Sequence, residues 1–256
     1  MDLATVKATL RVLGYTTAVT PGAFARITRL ASQGPWYPEA DAWARGFLAA
    51  AGVELRHDGR LGDTLRDLTR DKRPVILCAT HSSYLDSLVL FTEARMPLRF
   101  IAKEELFRSP VLGPALKATG MVSINRARAR GAYEALQRAA RDLGRDGGVV
   151  AIFPEGTRSR DGKVHPFKKG AFVMGAACEG CALLPAALRG TFRVWGDTFG
   201  AIRPGPVELR VGDALLVEEE SKRTGLTDLA LVEHLRSRTE GAVRALFSEG
   251  SQATSG

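Results

Sequence analysis

The stretch Pro74-Val75-Ile76-Leu77-Cys78-Ala79-Thr80-His81-Ser82-Ser83-Tyr84-Leu85-Asp86 decides how this chain is read. Its first half is a continuous apolar run bounded by proline, the pattern of a buried strand. Ser83, with Asp86 three residues later, then precedes Leu85, Leu88, Val89 and Phe91, so a helix starts here. His81 falls in the turn between the two, and Asp86 in the helix's first turn. On one unbroken helix five residues turn the chain through about 500°, and the two side chains would point apart. Across a turn they can meet. Asp86 then accepts from one imidazole nitrogen, fixes the tautomer, and leaves the other nitrogen to take a proton. The helix N-terminus favours the charged carboxylate. The stretch is equally compatible with Asp86 as a mere cap and His81 as an ordinary turn residue, and by itself it leaves both readings open.

The same arrangement, an apolar run ending in a polar turn, recurs outward from this stretch. Leu98 to Ala102 runs into Lys103. Gly120 to Asn125 runs into Arg126, with Arg128 and Arg130 following. Val149 to Phe153 stops at Pro154-Glu155-Gly156-Thr157-Arg158. Further strands are expected near 53–56, at 182–188 and at 207–211. Helices are expected at 40–51, 131–144, 170–179 and about 227–247. The 131–144 helix carries Tyr133, Leu136 and Leu143 on its apolar side and ends at Gly144; the last helix carries Leu229, Val232 and Leu235. Strands alternating with helices imply an α/β domain, in which ligands sit beyond the carboxyl ends of the strands. His81, Lys103, Arg126 and Glu155 to Arg158 all follow such ends.

Bulk composition narrows the field. A chain of 256 residues, 45% hydrophobic and 25% charged, is globular. Its formal charge of +8 favours an anionic partner, either a phosphate-bearing substrate or an anionic membrane face. No helix-turn-helix, zinc-finger or RNA-recognition signature is present, so nucleic acid is not expected. Cys78, Cys178 and Cys181 are few and odd in number, which suits a reducing cytoplasm; Cys178-Glu-Gly-Cys181 lacks the second pair of a zinc site and reads as core. No secretory signal is visible. The uncharged stretch from Val12 to Ala25 is short of the ~20 residues that span a bilayer. Leu3, Val6, Leu10 and Leu13 share one helical face, and Phe24, Ile27 and Leu30 another, with Lys7, Arg11, Arg26 and Arg29 off them. Such basic amphipathic segments either lie on a membrane or pack on the domain. The expected organisation is an amphipathic helical segment over 1–60, the α/β domain over 61–248 and a disordered tail over 249–256.

The strand-end residues suggest a division of labour. Arg126 and Arg158 can each fork onto a phosphate, and Lys103 adds a point charge. Gly156 lets the backbone approach a ligand, its amide facing a developing oxyanion. Lys168 and Lys169 are read as solvated charges. A base and a phosphate clamp without an activated nucleophile imply that the substrate supplies the nucleophile. Ser82 and Ser83 adjoin His81, but there is no Gly-x-Ser-x-Gly elbow, and there is neither a P-loop nor a metal cluster.

His81-Ser-Ser-Tyr-Leu-Asp86 resembles the H-x4-D motif of the glycerolipid acyltransferases, the family of 1-acylglycerol-3-phosphate O-acyltransferase. Phe153-Pro-Glu-Gly-Thr-Arg-Ser159 is similar to that family's third motif, Gly120 to Arg126 to its second, and Leu184-Pro185-Ala186 to its fourth. The likeness covers roughly residues 70–212. Thr80 stands where the family often has Asn, and Asn125 where an Asp often precedes the arginine. The resemblance implies a single domain with a mixed, largely parallel central sheet flanked by helices. It implies acyl transfer from an acyl-thioester, on coenzyme A or acyl carrier protein, to a lysophospholipid hydroxyl, 1-acylglycerol-3-phosphate first, with no further cofactor and no metal. His81 would be the general base and Asp86 its orienter. Lys103, Arg126, Glu155, Gly156, Thr157 and Arg158 would hold the acceptor's phosphate and glycerol. The expected location is cytoplasmic, at the inner face of the membrane. Another lysolipid acceptor such as a lyso-aminolipid, thioester hydrolysis, and a catalytically silent lipid-binding role are the alternatives.

Overall fold

The computed structural model describes residues 1–33, 36–57, 59–125, 129–196 and 200–248. Three helices come first, α1 (Leu3–Ala18), α2 (Thr20–Ala31) and α3 (Tyr37–Ala50). Then follow β1 (Val53–His57), α4 (Arg60–Leu68), β2 (Pro74–Ala79), α5 (Asp86–Ala94) and β3 (Leu98–Lys103). A short 3-10 turn (Glu104–Arg108) leads to α6 (Leu112–Ala118), β4 (Val122–Ile124), α7 (Ala129–Asp146) and β5 (Gly148–Ile152). The chain closes with α8 (Gly170–Ala176), β6 (Ala182–Arg189), α9 (Thr191–Val194), β7 (Gly205–Val211), β8 (Leu215–Leu216), α10 (Val217–Thr224) and α11 (Asp228–Ser248).

The sheet runs β1-β7-β6-β2-β5-β3-β4, with β8 paired to β6. The five strands from β6 to β4 are mutually parallel; β1 and β7 are parallel to each other, and β7 meets β6 antiparallel. The sheet is therefore mixed and largely parallel, as expected. Every residue of β2 is buried, because helices cover both faces of the sheet. Alternate side chains feed two cores: Val75, Leu77 and Ala79 join the layer of α1 to α5, while Ile76 and Cys78 join α7, α8 and α11. Cys178 and Cys181 are free, buried thiols in that second core.

Several expectations change. Residue 60 is not a boundary: β1 pairs residue for residue with β7, and Ala8, Val12, Phe24, Ile27 and Phe47 belong to the core that holds Leu77 and Leu90. Residues 1–33 and 36–57 pack into the α/β body. Helix α1 packs through Thr5, Ala8 and Val12, which leaves Leu3, Leu10 and Leu13 exposed at 68%, 62% and 58%. Helix α2 does pack through its apolar face. Gly144 does not end α7, which continues to Asp146. Gly147 ends it at φ +70°, where a Cβ would meet the Lys72 carbonyl at 2.6 Å. Tyr133 and Leu229 face solvent rather than core. Helix α4 is an element beyond those expected, with Leu61, Leu65 and Leu68 recurring at helical spacing. The tail 249–256 and Arg126 lie outside the described residues.

Candidate active site

Parallel β2, β5, β3 and β4 bring their carboxyl ends to one edge, which is why residues far apart in sequence converge. At the end of β2, Thr80 extends the pairing to β6 by side chain: its Oγ1 accepts from Leu188 N (2.9 Å) and donates to Leu188 O (3.2 Å). The hydroxyl thus satisfies a strand end that the backbone register leaves at Ala79–Ala186.

His81 is fixed at four points. Its amide donates to Glu155 Oε1 (2.8 Å) and its carbonyl accepts from Ser159 N (2.7 Å). Its ring stacks on Phe153, with centroids 3.9 Å apart and planes 11° from parallel. Its Nδ1 lies 2.9 Å from Asp86 Oδ2. That same oxygen accepts from Ser82 N (2.7 Å) and Ser83 N (2.8 Å). Ser83 is therefore not the helix cap: α5 begins at Asp86, whose carboxylate reaches back to the amides before it. A carboxylate already receiving two N–H bonds takes the imidazole as a third donor, so Nδ1 carries the proton and Nε2 is the basic nitrogen. Asp86 is fully buried, while the His81 side chain keeps 19% exposure.

Glu155 has a different place from the expected one. It is 3% exposed, and its Oε2 accepts from His165 N (2.9 Å) while Oε1 holds the His81 amide. Burial pushes its carboxyl pKa up, against the pull of the His165 and His81 amides. Glu155 thus braces the 154–168 loop against the His81 backbone. The Gly156 amide is likewise engaged within the turn, donating to Phe153 O (3.0 Å). Its φ of +75° makes the turn, and a Cβ there would strike Lys168 at 2.9 Å. Asp161 ties the loop's far side, held down to about 2 chiefly by the Lys163 amide.

Lys103, Thr157 and Arg158 line one cavity with His81, of about 450 Å³. The Arg158 guanidinium lies over the Tyr84 ring, 3.5 Å from its centre. Ser87, Phe100, Ala102 and Leu106 are shared with a second, apolar cavity of about 290 Å³ that extends between α2, α3, α5 and α6 and is walled by Phe24, Ile27, Trp36 and Phe91. Lys103 and Arg158 share a cavity with His81, whereas the apolar chamber, whose walls are contributed by six elements, has no counterpart in the sequence reading. That reading also missed Tyr84 and Phe153, although an aromatic inside His81–Asp86 and another closing β5 were visible.

A family model described as Acyltransferase matches residues 62–189, which hold His81, Asp86, Lys103 and the 154–159 turn. The chain belongs to the acyltransferase family. It is 42% identical over 144 residues to a 1-acyl-sn-glycerol-3-phosphate acyltransferase of Chlamydomonas reinhardtii, covering 56% of this chain and 42% of that one. It is 37% identical over 130 residues to a chloroplastic protein of the same description from Brassica napus, covering 51% and 37%. These matches span less than half of either relative's length. The crystal structure of the 1-acyl-sn-glycerophosphate (LPA) acyltransferase PlsC from Thermotoga maritima shares the fold, with a TM-score of 0.75 at 22% identity over 94% of this chain and 93% of that one. The acyltransferase family model begins after β1, yet α2 and α3 supply one wall of the apolar chamber.

Proposed function

We propose that this protein moves a fatty acyl group from an acyl-thioester to the free hydroxyl of 1-acylglycerol-3-phosphate, giving phosphatidic acid. One observation carries the reading. A histidine whose tautomer is set by a buried carboxylate opens onto a cavity with cations on one side and an apolar chamber on the other. A substrate with a phosphate, a hydroxyl and an acyl chain in reach of one another matches those three environments.

In this mechanism His81 Nε2 takes the acceptor's hydroxyl proton as the oxygen attacks the thioester carbonyl. The tetrahedral adduct collapses, the C–S bond breaks, and the imidazolium returns its proton to the departing sulfur. Asp86 stabilises the transient imidazolium and prevents ring rotation. Arg158, with Lys103 and Arg126, holds the acceptor phosphate; Thr157 faces the same space. The chamber receives the acyl chain, each buried methylene contributing about 0.8 kcal/mol. The reaction calls for no cofactor beyond the thioester co-substrate, on coenzyme A or acyl carrier protein.

In this proposal the reaction takes place at the cytoplasmic face of the membrane. The support is the charge of +8 together with the exposed leucines of α1 beside Lys7 and Arg11. No helix among the described residues is long and apolar enough to cross a membrane. The test is a transfer assay over a panel of lysolipids with both thioester donors. Acylation of 1-acylglycerol-3-phosphate well ahead of lyso-aminolipids is expected; equal use of acceptors lacking the exposed phosphate overturns the assignment.

A further inference from the structure

Arg158 reaches the cavity on a long, flexible stem, and an arginine free to rotate is a poor template for a phosphate. Here its guanidinium carbon lies over the Tyr84 ring, 3.5 Å from the ring centre, within cation–π range. Tyr84 is itself backed by Trp195, with ring centres 5.0 Å apart, and Trp195 stacks on Phe47 of α3 at 6.0 Å and 15°. The backbone on which Tyr84 rides is held on the base's side. Ser83 N donates to Asp86 Oδ2 (2.8 Å), and the Ser83 hydroxyl donates to the Trp195 carbonyl. One carboxylate therefore sets both the imidazole of His81 and the segment that carries Tyr84.

We propose that Tyr84 is a positioning residue: its ring fixes the plane of Arg158, and so the distance from the acceptor's phosphate to the base. Stacking engages the guanidinium's π face, whereas a phosphate is gripped along its N–H edge, so the two contacts are compatible at once. The ring contributes through its face, and the tyrosine hydroxyl is not needed for this role. This inference rests on the acceptor-phosphate role given to Arg158 above.

The test compares Tyr84→Leu, Tyr84→Phe, Arg158→Lys and the double variant Tyr84→Leu/Arg158→Lys, with 1-oleoylglycerol-3-phosphate and palmitoyl-coenzyme A. Measured are KM for each substrate, kcat, and thioester hydrolysis without acceptor. Tyr84→Leu should raise acceptor KM roughly 2- to 30-fold, the span of a cation–π contact from exposed to desolvated settings, with thioester KM moving less than about twofold. Tyr84→Phe should recover most of the loss. The double variant should be no worse than Arg158→Lys alone, because the ring then has no guanidinium to hold. Should Tyr84→Leu not fold, Tyr84→Met, which is longer and adapts to the space without a π face, carries the same expectation. Equal damage from Phe and Leu, parallel rises in both KM values, or additivity in the double variant overturns the proposal. If Arg158→Lys leaves acceptor KM unchanged, the acceptor reading itself is wrong. If it raises that KM and Tyr84→Leu does not, only the positioning role falls.

Discussion

Glu155 shows how a single residue can serve orientation at the expense of stability. A carboxyl whose folded pKa lies above its unfolded value adds stability below the unfolded pKa and loses it as pH rises through the folded one. Burial places Glu155 in that class, so at neutral pH its charge is a cost that the His81 and His165 amides partly offset. Glu155→Gln removes the charge but turns an N–H toward one of two N–H donors. The relief and the lost bond oppose each other, and stability should shift by only about 1 kcal/mol. Activity should fall far more, on the order of 10²-fold, if His81 moves by ~1 Å. Thermal melting and turnover on one preparation check this; an unchanged turnover means that His81 needs no such brace. Arg158→Lys makes a second residue-scale test. Lysine keeps the charge but loses the fork and the flat face, so transfer should drop roughly 10²-fold while acceptor-free thioester hydrolysis falls less. A parallel fall in both reactions would assign Arg158 to the fold or the donor.

At the scale of elements, α1 and α2 look alike in sequence and behave differently. Phe24 and Ile27 of α2 enter the core, whereas Leu3, Leu10 and Leu13 of α1 stay outside while its small residues Thr5, Ala8 and Val12 make the contact. Deleting residues 1–32 would therefore damage the core as well as any membrane contact. The cleaner variant is Leu3→Ser/Leu10→Ser/Leu13→Ser. It should keep its melting temperature and sediment less with anionic vesicles, in a salt-dependent way. Undiminished binding would place membrane contact elsewhere. What was legible here follows the range of the signal. The turn after β2 was readable because a continuous apolar run, a histidine and an acidic residue at the helix start lie within thirteen consecutive residues. Which face of α1 packs was not, because small residues bury as readily as large ones and the partner surface on α3 is formed elsewhere. The role of Glu155 was hidden for a similar reason: its partners are backbone amides of His81 and His165, and an amide leaves no mark in a sequence. The apolar chamber needs α2, α3, α5, α6 and β3 together, so no single stretch announces it.

For the whole molecule, the sheet places Lys103, Arg158 and His81 at one edge, and α2 and α3 close the apolar wall beside them. The layer ahead of α4 is thus packed into the same core and sheet. Phe47, packed against Trp43 and Trp195, ties that layer to the segment behind Tyr84. Phe47→Ala should cost about 3–5 kcal/mol and lower a single cooperative melting transition; two separate transitions would mean that the N-terminal layer folds independently. The most direct measurement of all is acyl transfer to 1-acylglycerol-3-phosphate by purified His81→Ala. With its melting transition and far-ultraviolet circular dichroism unchanged, the variant should lose ~10²–10⁴-fold or more in transfer rate. A folded His81→Ala protein that turns over near the wild-type rate would contradict the assignment of His81 as the base.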